Sequence, residues 1–424
     1  MSTTQEPAAE HATVAVGEVL ARGRLRGVVA MLGPAFIAAI AYVDPGNFST
    51  NISAGAEFGY ALVWVVVLAN LMAMPVQFLS AKIGIVTGKT LPEVCRDRYP
   101  APVRWALWLQ AEIVAMATDV AEFVGAALGL YLLFGVPMLP AALITAVVAF
   151  IVLGLQARGY RPFERAIAAM LLLIIGGFTY ELLHIGPDAG EALAGLVPTL
   201  PGSGSAYLAV GIIGATVMPH VVYLHSALTS RRVSCSNDTE RRTVLRFERW
   251  DVIVALGLAG AINLTMLMVA AKLFHSTGNT DIGSIEDAHA GLVTLAGGTA
   301  ALIFAVALLA SGISSSSVGT FAGQVVMAGF LNFRIPLLLR RLITMLPALL
   351  VIALGMNATD VLNFSQVVLS FGVPFALIPL VLITRDSAVM GSFSNSRRMT
   401  MLMTVITSVI VCLNGYLLYD QFLG

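Results

Sequence analysis

A short polar segment, Asp44-Pro45-Gly46-Asn47, interrupts a long apolar stretch near the start of the chain. The residues IAAIAYV come before it and FSTNISAG follow it. Pro45 has no N–H and disfavours helical geometry in the residue before it, so with Gly46 it predicts a break in a helix. A carboxylate at such a break, at membrane depth, indicates a binding site. Asp44 offers a charged hard oxygen and Asn47 a neutral one, which suits a cation.

A second apolar stretch is interrupted in a similar way by Thr216-Val217-Met218-Pro219-His220. Met218 offers a soft thioether, which hard Mg²⁺ and Ca²⁺ have no reason to prefer. Its combination with the oxygens of the first break favours Mn²⁺ or Fe²⁺. His220 could itself be a ligand, since a neutral imidazole suits Zn²⁺ or Fe²⁺, or it could handle protons beside the site. The chemistry of the residue leaves both roles open.

Three more acids, Glu112, Asp119 and Glu122, lie within one apolar stretch. Their spacing of seven and three residues places them on one face of a helix. With Asp44 they make four carboxylates inside the membrane, and the loops take up the Lys and Arg residues that could pair with them. Buried carboxylates without a partner must be protonated, solvated or matched by a bound cation. The row of acids therefore indicates a proton relay, unless Glu112 is merely solvated at a membrane edge.

The composition is that of an integral membrane protein. The 424 residues are 58% apolar and 11% charged, with a mean hydropathy of +0.87, whereas soluble domains are roughly 25% charged. Residues 1–25 are polar and predict a short disordered cytoplasmic tail, and residues 26–424 predict one transmembrane domain. The lipid bilayer is the expected environment. The zero net charge gives no sign of nucleic-acid binding, and we expect no obligatory protein partner and no resident cofactor.

The apolar runs predict eleven transmembrane helices. The breaks fall in the first and sixth spans, so each opens one half of a unit of ten helices, with an eleventh helix added. Because five is odd, the second half is inverted relative to the first, and matched broken helices in inverted halves indicate a midplane site of a secondary transporter. The predicted spans are about 28–56, 60–84, 105–133, 138–157, 164–184, 206–229, 250–273, 292–329, 337–357, 361–384 and 397–419. They group into repeat one (about 28–184), repeat two (about 206–384) and an extra helix (about 397–419).

The distribution of basic residues predicts the orientation. With a cytoplasmic N-terminus, 23 of the 24 Lys and Arg residues fall in cytoplasmic segments, and only Lys272 does not. Cytoplasmic loops carry this kind of excess. We therefore expect a multi-pass protein of the cell membrane, with its N-terminus inside and its C-terminus outside.

These motifs resemble the Nramp family of divalent-metal transporters, specifically its bacterial proton-dependent manganese transporters. The resemblance implies an all-α LeuT-like fold, with inverted repeats of five helices and with helices 1 and 6 unwound at the metal. It implies a metal site and a proton pathway in which the ion is imported by alternating access. The matching stretches are GPAFIAAIAYVDPGNFSTNI, AEIVAMATDVAEFVGAALGL, AVGIIGATVMPHVVYLHSAL, FAVALLASGISSSSVGT and SQVVLSFGVPFALIPL. The implied metal ligands are the side chains of Asp44, Asn47 and Met218, the carbonyls of Ala41 and Ala215, and Gln366; the implied proton pathway is Asp44, Glu112, Asp119, Glu122 and His220, with Arg232 and Arg340 near its cytoplasmic end.

Three other functions fit the sequence less well. A magnesium-transporting branch resembles the same fold but lacks the methionine of the second break, which is present here as Met218. A sodium-coupled amino-acid symporter would need a helix N-terminus free to hold a substrate carboxylate, and the acidic Asp44 argues against that. An intramembrane metalloprotease would need HExxH, whereas His220 and His225 are five residues apart with no Glu between them.

Overall fold

The computed structural model describes residues 14–15, 33–157, 160–202, 204–230, 232–278, 284–333 and 335–423. The predicted tail, residues 1–25, lies outside the described residues except for Val14–Ala15. Those two residues form a short strand, β1, which pairs in parallel with β2, Val233–Ser234. The remainder of the described chain consists of helices and their connections, so the prediction of an all-α fold is confirmed.

The first half of the chain places a broken helix ahead of four continuous long ones. The break lies at Tyr42–Asp44, and a 3₁₀ turn at Gly59–Leu62 joins the second half of the broken helix to the next one. The helices are α1 (Pro34–Ala41), α2 (Pro45–Phe58), α3 (Val63–Thr87), α4 (Leu91–Arg98), α5 (Ala101–Phe134), α6 (Met138–Ala157), α7 (Tyr160–Ile185) and the short α8 (Ala189–Ala194).

The second half begins in the same way, with a broken helix that is followed by long helices. This break lies at Val217–Met218. The helices are α9 (Ser205–Thr216), α10 (Pro219–Ser230), α11 (Asp238–Leu273), α12 (Ile285–Leu295), α13 (Gly298–Leu331), α14 (Leu337–Ala353), α15 (Ala358–Arg385), the short α16 (Ser387–Met390) and α17 (Arg397–Leu423). Short 3₁₀ turns occur at His275–Thr277 and Gly391–Phe393.

Within the described residues each predicted span overlaps a long helix or a broken pair of helices, although the eighth, about 292–329, also includes the end of α12. Among the described residues, eight helical stretches are long and apolar enough to cross a membrane, and one of them, Pro45–Thr87, joins α2 to α3. The count of eleven crossings therefore remains a prediction, whereas a bundle of apolar helices is what the structure has.

The broken helices lie at the centre of this bundle. In the most apolar window of Ser205–Ser230, which spans the second break, 94% of the residues are buried; the corresponding value is 28% for both Arg165–Ile185 and Arg397–Asp420. The outer helices thus present their apolar side chains to lipid, and the breaks are enclosed by protein. Irregular backbone at membrane depth is tolerated only in such an enclosed position or along a water-filled cavity.

Helices α5 and α13 approach closely through small residues beside the first break. A Cβ placed on Gly312 of α13 would lie 2.7 Å from the Cβ of Ala126, and one on Gly129 of α5 would lie 2.8 Å from Leu309. A Cβ on Gly125 would lie 2.1 Å from the Cβ of Pro45. Glycine at these positions therefore allows the acid-bearing helix α5 to pack directly against both α13 and the break.

Candidate metal-binding site

The two oxygens of Asp44 have different roles. Asp44 is the N-cap of α2, and its Oδ1 accepts hydrogen bonds from the backbone N–H of Asn47 at 2.9 Å and from Asn47 Nδ2 at 2.7 Å. This capping satisfies a donor that the start of a helix leaves free. The other oxygen, Oδ2, is buried and accepts no hydrogen bond from the described residues. One oxygen therefore builds the break, and the other is available to a ligand.

Each break releases a backbone carbonyl for a reason that the sequence contains. In a continuous α-helix the carbonyl of Ala41 would accept a hydrogen bond from residue 45, and that of Ala215 from residue 219. Both of those residues are proline and have no N–H. The two carbonyls that the family resemblance names as ligands are thus the two that Pro45 and Pro219 leave without an intrahelical partner. Counting back four residues from each proline would have found them without the resemblance.

A hydrogen bond joins the two breaks directly. Asn47 Nδ2 donates to the carbonyl of Ala215 at 2.9 Å. Asn47 Oδ1 in turn accepts from Asn263 Nδ2 of α11 at 3.2 Å, and Asn263 also donates to the carbonyl of Tyr42 at 2.9 Å. The predicted ligands Asn47 and Ala215 therefore lie side by side, held by a helix that the sequence reasoning did not include.

Two further supports of the site were missed from the sequence. Asn263 is a neutral polar residue within an apolar span, and it is 2% exposed. Ser311 of α13 donates to the carbonyl of Val43 at 2.5 Å. An uncharged polar side chain in a membrane helix often bonds to a neighbouring helix, but nothing in its own sequence neighbourhood specifies which backbone group it meets.

The second break is equally enclosed. Met218 has no exposed surface, and the N–H of Val217 closes the end of α9 on the carbonyl of Ile213 at 2.7 Å. His220, in the first turn of α10, places Nδ1 3.3 Å from Thr118 Oγ1 of α5, while its Nε2 has no hydrogen-bond partner among the described residues. His220 thus lies between the second break and the acid-bearing helix.

Gln366 of α15 lies against both breaks. A Cβ on Gly46 would come within 1.9 Å of Gln366 Nε2. A Cβ on Gly214 would come within 2.0 Å of the backbone carbonyl oxygen of Gln366. The side chain is fully buried, its Nε2 donates to Ser365 Oγ at 3.0 Å, and its Oε1 has no partner among the described residues. The structure therefore brings this predicted ligand to the first break and leaves its oxygen free.

The prediction that no Lys or Arg is available to the acids of α5 is wrong. Arg340 Nη2 lies 2.6 Å from Glu112 Oε1, and Arg341 Nη1 lies 3.3 Å from Asp119 Oδ1. Both arginines were counted with the cytoplasmic basic residues, but they lie in the first turns of α14 and are 2% and 0% exposed. A count of basic residues does not reveal which face of a helix end points into the bundle. The count therefore missed the two arginines that pair with the acids of α5.

Arg341 is the larger omission, because Arg340 was predicted in the proton pathway and Arg341 was not. Arg341 Nη1 also donates to Thr320 Oγ1 at 3.0 Å, and its Nη2 donates to Ser316 Oγ of α13. The ion pair with Asp119 is therefore fixed on its basic side by a second helix. Such additional hydrogen bonds are what an ion pair needs in a low-dielectric interior.

Among the three acids of α5, Glu122 is the one that forms no ion pair with a described residue. It is fully buried, and neither carboxylate oxygen accepts a hydrogen bond from the described residues. It lies between the two neighbouring acids, close enough to Asp119 and to Asp44 for their charges to interact with it. Asp44, Glu122, Asp119 and Glu112 thus form a line from the first break along α5, with arginines at its far end.

The membrane interior holds more carboxylates than the four predicted. Glu181 of α7 is 1% exposed and lines a small apolar cavity with Phe178, and its Oε1 has no partner among the described residues. In α11, Glu248 and Asp251 are also buried. Glu248 Oε1 lies 2.9 Å from His225 Nε2. The sequence did not single out these acids, because each lies close to one end of a predicted span. Glu181 is near the end of the fifth span, and Glu248 and Asp251 flank the start of the seventh.

The remaining predicted residue, Arg232, lies against the start of α1. A Cβ on Gly33 would be 2.9 Å from Arg232 Nη2. Arg232 therefore sits at the beginning of the first broken helix, and its role in a proton pathway stays a prediction.

The fold and the site define a polytopic membrane transporter of the LeuT-like class, with its site at two broken helices. Among the described residues no group of three or more His, Cys, Asp or Glu side chains is placed to hold a metal ion. The residues at the two breaks offer backbone carbonyls, one carboxylate, amides and a thioether instead. His225 cannot join His220 in a zinc site without losing its present contacts, because both of its ring nitrogens are within 2.9 Å of Gln77 or Glu248.

Comparison with known proteins agrees with this class. The family model described as "Nramp: Natural resistance-associated macrophage protein-like" matches residues 35–420. The chain is 53% identical to the "Divalent metal cation transporter MntH" of Deinococcus radiodurans, over 99% of this chain and 97% of that protein. It therefore belongs to the Nramp family.

Solved structures give the same fold. A crystal structure of the Eremococcus coleocola manganese transporter is similar with a TM-score of 0.86 at 32% identity, over 96% of this chain and 89% of that one. The structure of MhsT in complex with L-phenylalanine, at 15% identity and a TM-score of 0.62 over 92% of this chain and 98% of that one, shares the fold alone.

Proposed function

We propose that this chain imports divalent transition-metal ions, Mn²⁺ and also Fe²⁺, together with protons, by alternating access around the two broken helices. The observation that carries the proposal is the 2.9 Å hydrogen bond from Asn47 Nδ2 to the carbonyl of Ala215, beside the free Oδ2 of Asp44. This bond brings potential metal ligands from both breaks to one place, where relative movement of the broken helices would assemble or separate them.

The donor types support a transition metal. Asp44 and the carbonyls of Ala41 and Ala215 supply hard oxygens, and Met218 supplies a soft sulfur. Mg²⁺ and Ca²⁺ prefer oxygen ligands alone, whereas Mn²⁺ and Fe²⁺ accept the mixture. A thioether selects against hard ions better than it selects among softer ones, so Co²⁺ and Cd²⁺ belong to the proposed range.

The acids of α5 support a proton route. Glu122 interacts with both Asp44 and Asp119, and an unpaired carboxylate at that depth must be protonated or solvated. A divalent ion bound at Asp44 would repel a proton from it and from Glu122, which offers a means of coupling. Arg341 and Arg340 lie opposite Asp119 and Glu112 at the far end of the line, where a proton leaves.

Neither alternative function is favoured by an observation. The magnesium branch lacks the sulfur that is buried here at Met218. In an amino-acid symporter the carboxylate of Asp44 would repel the carboxylate of the substrate, since it caps α2 at the position where a substrate anion would bind.

The test is Mn²⁺ uptake into proteoliposomes with an inward acid gradient, with a pH-sensitive dye inside. Asp44→Asn keeps the cap of α2 but removes the charge, so we expect uptake to fall about tenfold or more, equivalent to ~1.4 kcal/mol of binding. Asp360→Asn is the matched control because Asp360 is an exposed acid in the first turn of α15.

Two outcomes would contradict the proposal. Unchanged uptake by Asp44→Asn would remove the site assignment. A silent pH dye during Mn²⁺ entry in the wild-type protein would leave metal transport standing but remove its coupling to protons.

A further inference from the structure

A groove of about 1050 Å³ opens at the end of the bundle where α15 finishes and α17 begins. Three arginines line its mouth, Arg98 from α4, Arg385 from α15 and Arg397 from α17. Its wall continues along α17 and is formed by apolar side chains that include Met401 and Val405. The groove is remote in sequence from both breaks, and the proposed transport function makes no use of it.

The mouth of the α15–α17 groove carries an excess of positive charge. Arg98 forms an ion pair with Asp386. The backbone N–H of Ala388 and the Arg98 side chain hold the pKa of Asp386 below its usual value, so Asp386 is ionised and neutralises one arginine. Arg385 and Arg397 are exposed and form no ion pair with any described residue. The guanidinium groups of Arg385 and Arg397 therefore line an open cavity without a direct ion pair, although the charge of Arg385 also acts on Asp386.

The wall of the groove is apolar and exposed. Met401 is 60% exposed and Val405 is 54% exposed. They are four residues apart on α17 and therefore on one face of that helix. This face runs from the arginines towards the apolar part of α17. The groove thus offers a cationic end and an apolar length in the order in which a phospholipid presents its phosphate and its acyl chain.

The groove is held open by bonds within the protein. Asn395, in the connection between α16 and α17, donates its N–H to the carbonyl of Thr384 and its Nδ2 to Thr384 Oγ1, both at 2.8 Å. Asn395 Oδ1 accepts from Lys82 Nζ of α3 at 2.9 Å. The connection that shapes the mouth is therefore fixed to two helices. A binding site formed in advance of its ligand requires little ordering when the ligand arrives.

We propose that the α15–α17 groove binds an anionic phospholipid, with its phosphate between Arg385 and Arg397 and an acyl chain along Met401 and Val405. Arginine pairs with phosphate through two parallel N–H donors, and an arginine that is not otherwise paired is available for this. Basic pockets between membrane helices on the side rich in Lys and Arg recognise acidic head groups. Inorganic phosphate would satisfy the arginines but would leave the apolar wall bare, so the lipid is the occupant that fits both parts.

The test compares lipids that differ only in their head group. Purified protein in neutral detergent is titrated with phosphatidylglycerol or phosphatidylcholine of identical acyl chains, and bound lipid is counted by native mass spectrometry. We expect phosphatidylglycerol to be retained about fivefold more than phosphatidylcholine, and Arg385→Gln with Arg397→Gln to remove the preference. Arg165→Gln with Arg246→Gln is the control, because both of these arginines are exposed and lie outside the groove.

A second variant tests the acyl-chain half of the proposal without removing charge. Val405→Trp fills the wall while all three arginines remain, so retention of phosphatidylglycerol should fall as it does in the arginine variant. Excess inorganic phosphate should leave the bound lipid in place. Equal losses in the control pair, no head-group preference in the wild type, or displacement of the lipid by phosphate would each overturn the proposal.

Discussion

Single residues at the first break combine support and binding in one side chain. Asp44 caps α2 with one oxygen and keeps the other free, and Asn47 donates to the opposite break while its own oxygen is held by Asn263. Truncation of either residue would change the helix end as well as the ligand. An isosteric exchange of Asp44 for Asn is therefore more informative than its truncation to Ala.

The thioether of Met218 sets a testable limit on selectivity. Met218→Ala removes the soft donor and leaves the oxygens, so Ca²⁺ or Mg²⁺ at about tenfold excess should now reduce Mn²⁺ uptake by roughly half. Uptake of Mn²⁺ in competition with each ion is the measurement. Met403→Ala, at a fully buried methionine of α17, should compete as the wild type does. If both variants show the wild-type pattern, the sulfur has no part in selection.

The ion pair of Arg341 with Asp119 gives a prediction about stability. Arg341→Met leaves a buried carboxylate without its partner and should lower the free energy of unfolding by about 3–5 kcal/mol. Asp119→Asn in the same chain removes that charge and should recover much of the loss. The midpoint of thermal unfolding in detergent measures both. A double variant as unstable as Arg341→Met would show that packing of the arginine, not its charge, is what matters.

Site residues whose chemistry is unusual for an apolar stretch could be predicted from the sequence. Site residues that matter only because of their contacts with another helix could not. Asp44 and Met218 each precede a proline within an apolar stretch, and this pattern is visible in the sequence itself. Asn263, Ser311 and Arg341 become part of the site because of the helix that lies opposite them. Which helix lies opposite a given residue is a property of two segments that are distant in the chain. The local pattern of a single sequence does not reveal it.

The broken helices are the elements on which the site depends, and proline is the cause of each break. Pro45→Ala supplies an N–H four residues after Ala41, so it should close the helix on that carbonyl. We expect the affinity for Mn²⁺, measured by calorimetry, to fall by about tenfold, as a lost ligand worth ~1.4 kcal/mol would give.

The control for this change is Pro75→Ala, at a proline inside the unbroken α3. It should leave Mn²⁺ affinity unaltered. Affinity that falls equally in both variants would point to a general effect on packing, and affinity that is unchanged in Pro45→Ala would show that the carbonyl of Ala41 is not a ligand.

Helix positions were predicted well, and helix ends were not. The seventh span was predicted to begin at residue 250, but α11 begins at Asp238, where the Asn237 side chain accepts from the N–H of Glu240 at 2.9 Å. Hydropathy detects the part of a helix that contacts lipid, whereas a polar helical extension into water depends on capping and charge at its first turn.

At the scale of the whole molecule, orientation is the prediction that the structure leaves to experiment. We expect the connection between α8 and α9 to face the outside and the connection between α15 and α17 to face the cytoplasm. Leu196→Cys and Ser392→Cys are exposed positions in these two connections. In a chain whose Cys95, Cys235 and Cys412 are replaced, a maleimide that cannot cross membranes should label the first in intact cells and the second only after permeabilisation. The reverse pattern would invert the topology.

The two carbonyls at the breaks have a consequence for genetics. A backbone oxygen is present whatever side chain its residue carries, so Ala41→Gly or Ala215→Gly would remain silent in a screen for lost metal uptake. The substitutions that would remove these proposed ligands lie one helical turn later, at Pro45 and Pro219. A scan in which each residue is replaced by glycine would therefore score the prolines as metal-binding positions and the alanines as tolerant ones, and a map of ligands drawn from that scan would be displaced by four residues.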